Sequence, residues 1–305
     1  MENHKSNWLC IYIFINPPVE NVLHHCLFPI AERLIHNQSC DKFFFIRYGE
    51  GGYHIRFRIH FKESSILNSS RILITDEIKK FITDYAIVSS STSGDSVFEK
   101  QYVPEYKRYG GFKGIQIAEQ LFYDSSTTII KIIKLSEKWN YNAALYTAIW
   151  MNYILINSLV TSQEERYNFY LFNYNRWLPY SYRSIKEKIS IEEMGIKISR
   201  MYDNIFNTVK SWLIPLVNRL NSDVQSDPAR NSIEENWIFK TRQISTNISK
   251  YADKIDINKS DPQPFWSIFD AYVHMNNNRL GIRNQDESLI SFLILKSINY
   301  SKNGI

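Results

Sequence analysis

The chain has 305 residues, of which 44% are hydrophobic and 22% charged, a composition that predicts a folded protein and argues against disorder. The formal net charge of +5 comes without a lysine run or an arginine-rich arm, so a general affinity for nucleic acid is not expected. Aromatic residues make up 15% of the chain, which suits a cleft that holds a peptide by stacking and phenol hydrogen bonds.

The first third of the chain predicts strands with helices between them. In chain order, the patterns indicate a strand at Trp8–Phe14, a helix at Val19–His36, a hairpin of Phe43–Tyr48 and Tyr53–Phe61, a helix at Arg71–Val88, a Ser/Thr loop at Ser89–Gly94 and a strand at Val97–Val103. Pro29 falls inside the first helical pattern and argues against one unbroken helix. The hairpin turn contains three glycines, which permit positive φ.

The remaining two thirds predict helices almost throughout. The expected helices are Ile115–Trp139, Asn142–Val160, Gln163–Leu178, Ile191–Leu220, Ser232–Ala252, Pro264–Leu280 and Asp286–Ser301. Pro215 lies inside the longest of them, so a kink or a division into two helices is expected there. We predict an α+β fold in a single domain 1–305, with an N-terminal mixed sheet and long hairpin in residues 1–113 and a mainly helical layer in residues 114–305.

Cysteine usage and hydropathy indicate an intracellular location. The three cysteines include no CxxC pair, which argues against a disulfide framework and against a zinc site. The polar N-terminus precedes a short apolar run without a small-residue cleavage site, so no signal peptide is predicted. The segment Asn140–Ser162 carries no charge, but its Thr, Asn and Ser residues favour a helix buried in protein over a membrane span. We expect a cytoplasmic protein with no membrane partner.

The strand Tyr53–Phe61 carries the clearest functional signal. Alternation places His54, Arg56, Arg58 and His60 on one face, about 7 Å apart, and apolar residues on the other. Such a face either meets water and acidic neighbours or forms an anion site, in which two guanidiniums bind carboxylates and stabilise developing negative charge. On the opposing strand, Arg47 is expected to join them.

Two further segments hold candidate functional groups. In Tyr102–Gly111, Glu105 and Arg108 lie three apart, either as a local ion pair or as groups that fix an arginine of the hairpin. Gly110 and Gly111 permit a tight turn before the next helix.

In Tyr272–Gly281, His274 and Asn278 share a helix face, and His274 is either a structural residue or a proton donor and acceptor. No second histidine stands at metal-ligand spacing from His274, so no metal is predicted.

Taken together, these segments resemble the C-terminal domain family of lantibiotic dehydratases, which also occurs as stand-alone thiopeptide-type bacteriocin biosynthesis proteins. The matching segments, in family order, are Phe44-Phe-Ile-Arg-Tyr48, His54-Ile-Arg-Phe-Arg58, Pro104-Glu-Tyr-Lys-Arg-Tyr-Gly-Gly111, Ala118-Glu-Gln-Leu-Phe122 with Asp124-Ser125, and His274-Met-Asn-Asn-Asn-Arg-Leu280. Residues 162–261 contribute no matching motif.

The resemblance implies a lyase that tailors ribosomally made peptides. Such an enzyme eliminates glutamate from glutamylated Ser or Thr and leaves dehydroalanine or dehydrobutyrine. By the family pattern, Arg56 and Arg58 bind the glutamyl carboxylates, Glu105 and Arg108 form a second required pair, and His274 moves the proton. Residues expected to contact the substrate are Arg47, Tyr48, His54, Tyr109, Asn278 and Arg279.

The partners implied are a precursor peptide with its leader and a separate glutamylation protein that uses glutamyl-tRNA, since this chain is too short to include that domain. No cofactor, metal or direct nucleic-acid contact is expected.

Two alternatives stay open. The same fold serves as a stand-alone pyridine synthase, which joins two dehydroalanines in a formal [4+2] cycloaddition and releases the leader peptide. In that branch the elimination residues are often altered, whereas all five are retained here, which favours elimination. The second alternative is a non-catalytic subunit that binds the precursor and delivers it to another enzyme.

Overall fold

The structure is a computed structural model that describes residues 7–85, 96–221, 232–257 and 265–302. The chain divides into two compact units: the first comprises residues 1–107 and 115–138, and the second comprises residues 108–114 and 139–305. The sequence predicts a single domain with a strand-rich part, 1–113, and a helical part, 114–305; most of the helix 111–135 clusters with the strands of the first unit. The ring of Phe122 lies 5.3 Å from that of Phe44, and the ring of Tyr123 lies 5.5 Å from that of Phe43.

The first unit is built around one four-stranded sheet. Its elements are β1 (Trp8–Phe14), α1 (Glu20–Val22), a π-helical turn (Leu23–Leu27), α2 (Phe28–His36), β2 (Cys40–Tyr48), β3 (His54–Phe61), α3 (Ser64–Asp84), β4 (Val97–Glu99) and most of α4 (Gly111–Leu135). The strand order is β2-β3-β1-β4. The predicted α+β class is confirmed, and every described strand pair is antiparallel, where the sequence predicts a mixed sheet.

Local differences from the prediction have simple causes. Pro29 does not end the first helical stretch, because the backbone stays right-handed helical at Leu27 and Phe28; the turn directly before it, Leu23–Leu27, is π-helical. β4 ends at Glu99 because it pairs only with Ile11–Ile13 of β1, and the chain then leaves the sheet. The predicted loop Ser89–Gly94 lies outside the described residues.

The side chains of the inner strand β3 alternate between an apolar side and a polar side of the sheet. Ile55, Phe57, Ile59 and Phe61 are buried, as their shared parity predicts. Helices α2 and α3 lie against strands of this sheet. The intervening residues of β3 therefore point to the opposite side.

The second unit is helical. It contains the first residues of α4, then α5 (Tyr141–Leu159), α6 (Gln163–Tyr182), α7 (Ile191–Asn221), α8 (Ile233–Lys250), α9 (Trp266–Leu280) and α10 (Glu287–Lys302), with short 3₁₀ turns before α9 and α10. The helices predicted for this region are confirmed to within a few residues. Pro215 does not divide this stretch into two helices, since α7 runs unbroken from Ile191 to Asn221.

Helix α5 occupies the centre of this unit. It contacts α7, α8, α9 and α10, and eleven consecutive or near-consecutive side chains from Ala144 to Ile156 are buried. Asn140 caps the helix by accepting a hydrogen bond from the backbone N of Ala143 at 3.1 Å. Among the described helices, none combines the length and hydropathy that crossing a membrane requires.

The predicted glycine turn before α4 is confirmed. Gly110 and Gly111 have φ of 79° and 82°, in the left-handed region that favours glycine. The carbonyl of Gly110 accepts a hydrogen bond from the backbone N of Asp256 at 2.8 Å. A Cβ atom on Gly110 would lie 2.5 Å from Cγ2 of Ile255 and 3.0 Å from Cδ1 of Ile268. The second unit thus closes tightly around this turn.

We expect Gly110→Ala to lower stability by about 2 kcal/mol or more, because the left-handed backbone alone costs about 1–2 kcal/mol for alanine and the new methyl group overlaps Ile255. The thermal unfolding midpoint measures the loss. The control is Gly49→Ala, since a Cβ there meets nothing within 4 Å and φ is not left-handed; we expect a change within about 0.5 kcal/mol. Equal midpoints for the two variants would contradict the argument.

Candidate active site

The polar side of the sheet carries two arginines between aromatic rings. The register pairs Tyr12 of β1 and Ile46 of β2 with Arg56, and Phe44 of β2 with Arg58. We call this side the arginine face. Side chains directly opposite one another across an antiparallel pair are close, so each guanidinium lies beside rings from neighbouring elements.

Arg56 is held on three sides. Its guanidinium carbon lies 3.4 Å from the ring centroid of Tyr48 and 4.8 Å from that of Tyr12. Its Nε donates a hydrogen bond to Nε2 of His54 at 3.2 Å. Cation–π contact favours a guanidinium that has lost part of its water, and it leaves the outer N–H groups for a ligand.

Arg58 has a similar aromatic setting and an unused donor. Its guanidinium carbon lies 4.6 Å from the ring of Tyr102 and 5.3 Å from the ring of Phe44. Its buried Nε has no hydrogen-bond partner among the described residues. Within the same ranges, neither Arg58 nor Arg56 forms an ion pair with a carboxylate. Two cations that are partly desolvated and carry no counter-ion in the described chain form a suitable anion site.

A buried acid lies behind Tyr102. The Tyr102 hydroxyl donates to Oε1 of Glu119 at 2.9 Å, and Nζ of Lys42 lies 4.0 Å from Oε2. Burial raises the pKa of the Glu119 carboxyl above its ordinary value, and the Tyr102 hydrogen bond and nearby cations oppose that shift. Glu119 therefore fixes Tyr102 over Arg58 without an ion pair to the guanidinium.

His54 is neutral in this setting rather than a fourth cation. It is 2% exposed and stacks on Phe14, with ring centroids 4.4 Å apart. Because Nε2 accepts from Arg56, the proton must lie on Nδ1, which donates to the carbonyl of Gly52 at 2.8 Å. Burial is the main cause that lowers the pKa of His54 below 6.5; the bond to Gly52 opposes it, and the charges of Arg56 and Lys100 add to it.

Arg47 is the predicted group of the hairpin that lies elsewhere. Arg47 pairs in register with Ile55, so it is on the opposite side of the sheet from Arg56 and Arg58 and does not join them. Nη1 of Arg47 donates to Oε1 of Glu20 at 2.9 Å, and the side chain is buried. The prediction that Arg47 belongs to the arginine row is wrong. Arg47 shares the face of its register partner Ile55, and Ile55 points to the opposite side of the sheet from its neighbour Arg56.

In the second unit, His274 forms a carboxylate–imidazole pair. Nδ1 of His274 lies 2.7 Å from Oε1 of Glu287, at the start of α10. The carboxylate accepts a second hydrogen bond from Nδ2 of Asn277 at 3.0 Å. Burial raises the pKa of Glu287, and the contact with His274 and the Asn277 hydrogen bond oppose that rise. Nε2 of His274 has no partner within the described part of the chain, and the side chain is 16% exposed.

Trp177 covers one face of this imidazole. The two rings stack with centroids 4.6 Å apart and planes inclined by 17°. Nε1 of Trp177 donates to Oδ1 of buried Asp270 at 2.8 Å, and Arg176 Nε lies 2.8 Å from Oδ2 of the same residue. Trp177 is thus fixed by an acid that is itself neutralised, and the plane of His274 is fixed with it.

The other predicted residues have individual positions. Glu105 and Arg108 are exposed, the first in the first unit and the second in the second unit. Tyr109 is buried against Tyr272, with parallel rings 6.0 Å apart. Asn278 is half-buried.

Arg279 is fully buried, and its Nη1 donates to the Met275 carbonyl at 2.8 Å. The predicted substrate contacts of Tyr109, Asn278 and Arg279 stay predictions. Over the described ranges, no three His, Cys, Asp or Glu side chains come together as a metal site.

Several residues of these sites are missing from the sequence-based prediction, namely Tyr12, Tyr102, Glu119, Trp177, Asp270 and Glu287. One signal was available: Glu287 occupies the same helix stripe as Ile290, Ile294 and Ile298, all of them buried. An acid at an apolar position requires a polar partner inside the protein. Tyr12 gave no such signal, because strand register is not visible in one strand.

The chain matches a known protein family over nearly its whole length. The family described as lantibiotic biosynthesis dehydratase C-terminal matches residues 8–298. The chain belongs to this family. The nisin biosynthesis protein NisB of Lactococcus lactis subsp. lactis is 23% identical to this family member over 292 residues, which are 95% of this chain and 25% of NisB. The chain therefore spans about a quarter of the length of this curated relative.

Solved structures share the fold over their matched lengths. TbtD, a pyridine synthase from thiomuracin biosynthesis, superposes with a TM-score of 0.73 at 11% identity and covers 96% of this chain and 97% of its own. MibB, a tRNA-dependent lantibiotic dehydratase from Microbispora sp. 107891, superposes with a TM-score of 0.62 at 18% identity over 99% of this chain and 29% of MibB. The family resemblance read from the motifs is confirmed.

We expect the stability of this family member to fall on acidification partly through His54. Its folded pKa lies below 6.5, so the unfolded chain binds more protons as the pH falls from 6.5 through the folded value, and stability decreases there. One such group contributes at most about 1.4 kcal/mol per pH unit.

Urea midpoints at pH 7.5 and 5.5 measure the effect in wild type and His54→Gln. Glutamine keeps a donor for Gly52 and an acceptor for Arg56 but does not titrate, so its midpoint should fall less. His36→Gln, at an exposed position, serves as the control. An identical acid dependence in wild type and His54→Gln would rule out the assignment.

Proposed function

We propose that the protein tailors ribosomally made peptides by eliminating glutamate from glutamylated serine or threonine. The observation that carries the proposal is the arginine face: Arg56 and Arg58 lie between aromatic rings, without a carboxylate counter-ion in the described chain. A glutamyl ester becomes a dicarboxylate when it leaves, and two adjacent guanidiniums complement that product.

The reaction needs a carboxylate clamp and a base. A base removes the α-proton of the modified residue, the electron pair of the Cα–H bond forms the Cα=Cβ double bond, and the Cβ–O bond breaks with its electrons on the departing glutamate. Cations that bind the leaving carboxylate more strongly as its charge develops lower the barrier. Arg56 and Arg58 supply these cations in the proposal.

His274 supplies the base. Its Nδ1 is engaged with Glu287 at 2.7 Å, and Nε2 is available to accept a proton. Family resemblance adds Glu105 and Arg108 as a further required pair, and their exposure is compatible with contact to a peptide. Tyr48, which stacks on Arg56, then also borders the bound ester.

The partners follow from the chemistry of the substrate. The protein acts on a precursor peptide with a leader, in the cytoplasm where glutamyl-tRNA is made. A glutamylation activity that uses glutamyl-tRNA supplies the ester. No direct contact with nucleic acid is needed in this step.

A second candidate is pyridine synthesis by [4+2] cycloaddition of two dehydroalanines with loss of the leader. It is favoured by one specific observation, the superposition of nearly the whole of TbtD on this chain at a TM-score of 0.73. In that reaction the arginine face would hold a peptide carbonyl as negative charge develops on it.

One assay separates the functions. The purified protein is given a peptide glutamylated on serine and, separately, a peptide that carries two dehydroalanines, and mass spectrometry follows both. Free glutamate with a new dehydro residue supports elimination, whereas a pyridine product with a released leader supports cycloaddition. Binding without either product would leave a non-catalytic delivery subunit as the function.

We expect Arg58→Lys to lower kcat/KM for elimination by about 10- to 100-fold, because a point charge replaces a planar donor pair worth about 1.5–3 kcal/mol at a carboxylate. Single-turnover glutamate release measures the loss. Arg71→Lys is the matched control, since Arg71 is an exposed arginine of the same unit that pairs with Glu99. Equal losses in the two variants would point to a general charge effect instead of a clamp.

His274→Ala should reduce kcat by about 10²- to 10⁴-fold, the usual contribution of general base catalysis. Binding of the glutamylated peptide, followed by fluorescence anisotropy, should change little. Exposed His36→Ala provides the comparison. Unchanged glutamate release by His274→Ala would show that His274 is not the base.

A further inference from the structure

The His274–Glu287 pair is the end of a chain of buried hydrogen bonds. Nδ2 of Asn276 donates to Oδ1 of Asn152 at 3.4 Å, and Nδ2 of Asn152 donates to Oδ1 of Asn277 at 2.7 Å. Nδ2 of Asn277 donates to Oε2 of Glu287 at 3.0 Å, and Oε1 of Glu287 lies 2.7 Å from Nδ1 of His274. We call this series the amide chain.

The amide chain has one direction. An amide has one acceptor oxygen and one donor nitrogen, so each asparagine that accepts at its oxygen from one neighbour donates its N–H to the next. Asn277 accepts from Asn152 and so presents an N–H, never an oxygen, to position 287. Asn152, Asn277 and Glu287 are each at most 1% exposed, so water does not substitute for a misdirected partner.

We propose that Glu287 is a positioning residue. Asn277 donates to one of its oxygens, and the other oxygen sets the tautomer of His274. A group at position 287 that accepts on both sides holds the imidazole proton on Nδ1 and leaves Nε2 without a proton. Trp177 fixes the ring plane, since it stacks on the imidazole and is anchored by Asp270. This inference rests on the proposed function only for the identity of the proton that Nε2 takes.

The step assigned to the pair is balanced as follows. Nε2 of neutral His274 takes the α-proton, the Cα–H electrons form the double bond, and glutamate departs with the Cβ–O electrons. The resulting imidazolium keeps its Nδ1–H bonded to the carboxylate of Glu287, which offsets the new positive charge. The imidazolium then returns its proton to water.

The direction of the amide chain predicts an inverted tautomer in Glu287→Gln. Asn277 offers an N–H, so the glutamine must turn its carbonyl oxygen toward Asn277 and its NH₂ toward His274. Nδ1 of His274 then has to accept, so the ring proton lies on Nε2. A protonated Nε2 cannot take the α-proton. We expect kcat for elimination to fall by about 10²-fold or more, while KM changes by less than about threefold.

A swap variant provides the sharpest test. Combining Glu287→Gln with Asn277→Asp exchanges acid and amide, so the introduced aspartate accepts the glutamine N–H and the glutamine oxygen faces Nδ1 again. The double variant should regain at least about tenfold in kcat over Glu287→Gln alone and return the proton to Nδ1. If Glu287 acted only through packing, adding Asn277→Asp to Glu287→Gln would lower kcat further.

The tautomer is read directly by ¹⁵N NMR of histidine-labelled protein near neutral pH, with the His274 signal identified by its loss in His274→Gln. Wild type and the swap variant should show protonated Nδ1 and unprotonated Nε2, and Glu287→Gln the reverse. Asp286→Asn is the matched control, because the adjacent acid bonds Tyr141 and Arg283 and does not contact His274. It should leave both readouts unchanged.

The outcomes are distinct for the two claims. If Glu287→Gln keeps the wild-type tautomer, the positioning role is overturned, whatever the activity. If wild-type protein releases no glutamate but the tautomers invert and recover as described, the elimination function fails and the positioning role stands. Should Glu287→Gln fail to fold by circular dichroism, Glu287→Asp replaces it: an acid retains the Nδ1 tautomer, and a proton on Nε2 in that variant would overturn the proposal.

Discussion

A polar atom that loses its water must gain another hydrogen bond, and the two sites differ in how they meet this constraint. In the second unit, buried Glu287 is satisfied on both oxygens, by His274 and by Asn277. In the first unit, the buried Nε of Arg58 is left without a partner in the described chain. The two hydrogen bonds fix the position of the Glu287 carboxylate, whereas the Nε–H of Arg58 remains available to a ligand.

The surroundings of the arginine face explain how two like charges remain close together. Aromatic rings from β1, β2 and the segment after β4 lie against the guanidiniums of Arg56 and Arg58 and supply cation–π stabilisation without neutralising them. His54 stays neutral and accepts a hydrogen bond from Arg56, so it orients Arg56 without adding a positive charge. Acids that lie near, such as Glu119, are occupied by Tyr102. The positive charge of the arginine face is therefore not neutralised by a carboxylate within the described residues.

The fold alone does not choose between the candidate reactions. The chain superposes on a pyridine synthase and on part of a lantibiotic dehydratase with TM-scores of 0.73 and 0.62. Related chemistries can share one scaffold because side chains on it, and not its topology, determine which bond breaks. In the proposed elimination, Arg56 and Arg58 bind the leaving carboxylate and His274 takes the α-proton.

The sequence by itself determined the α+β class, nearly all helix positions, the hairpin and the shared face of Arg56 and Arg58, because these depend on periodicities of 2 and 3.6 residues within one segment. It also predicted a functional role for His274 from its motif, and that role stays a prediction. Only the tertiary structure decided that Arg47 lies on the other side of the sheet, that His54 is neutral and that Glu287 is the partner of His274. Register, burial and contacts between distant helices bring together residues that no local pattern links.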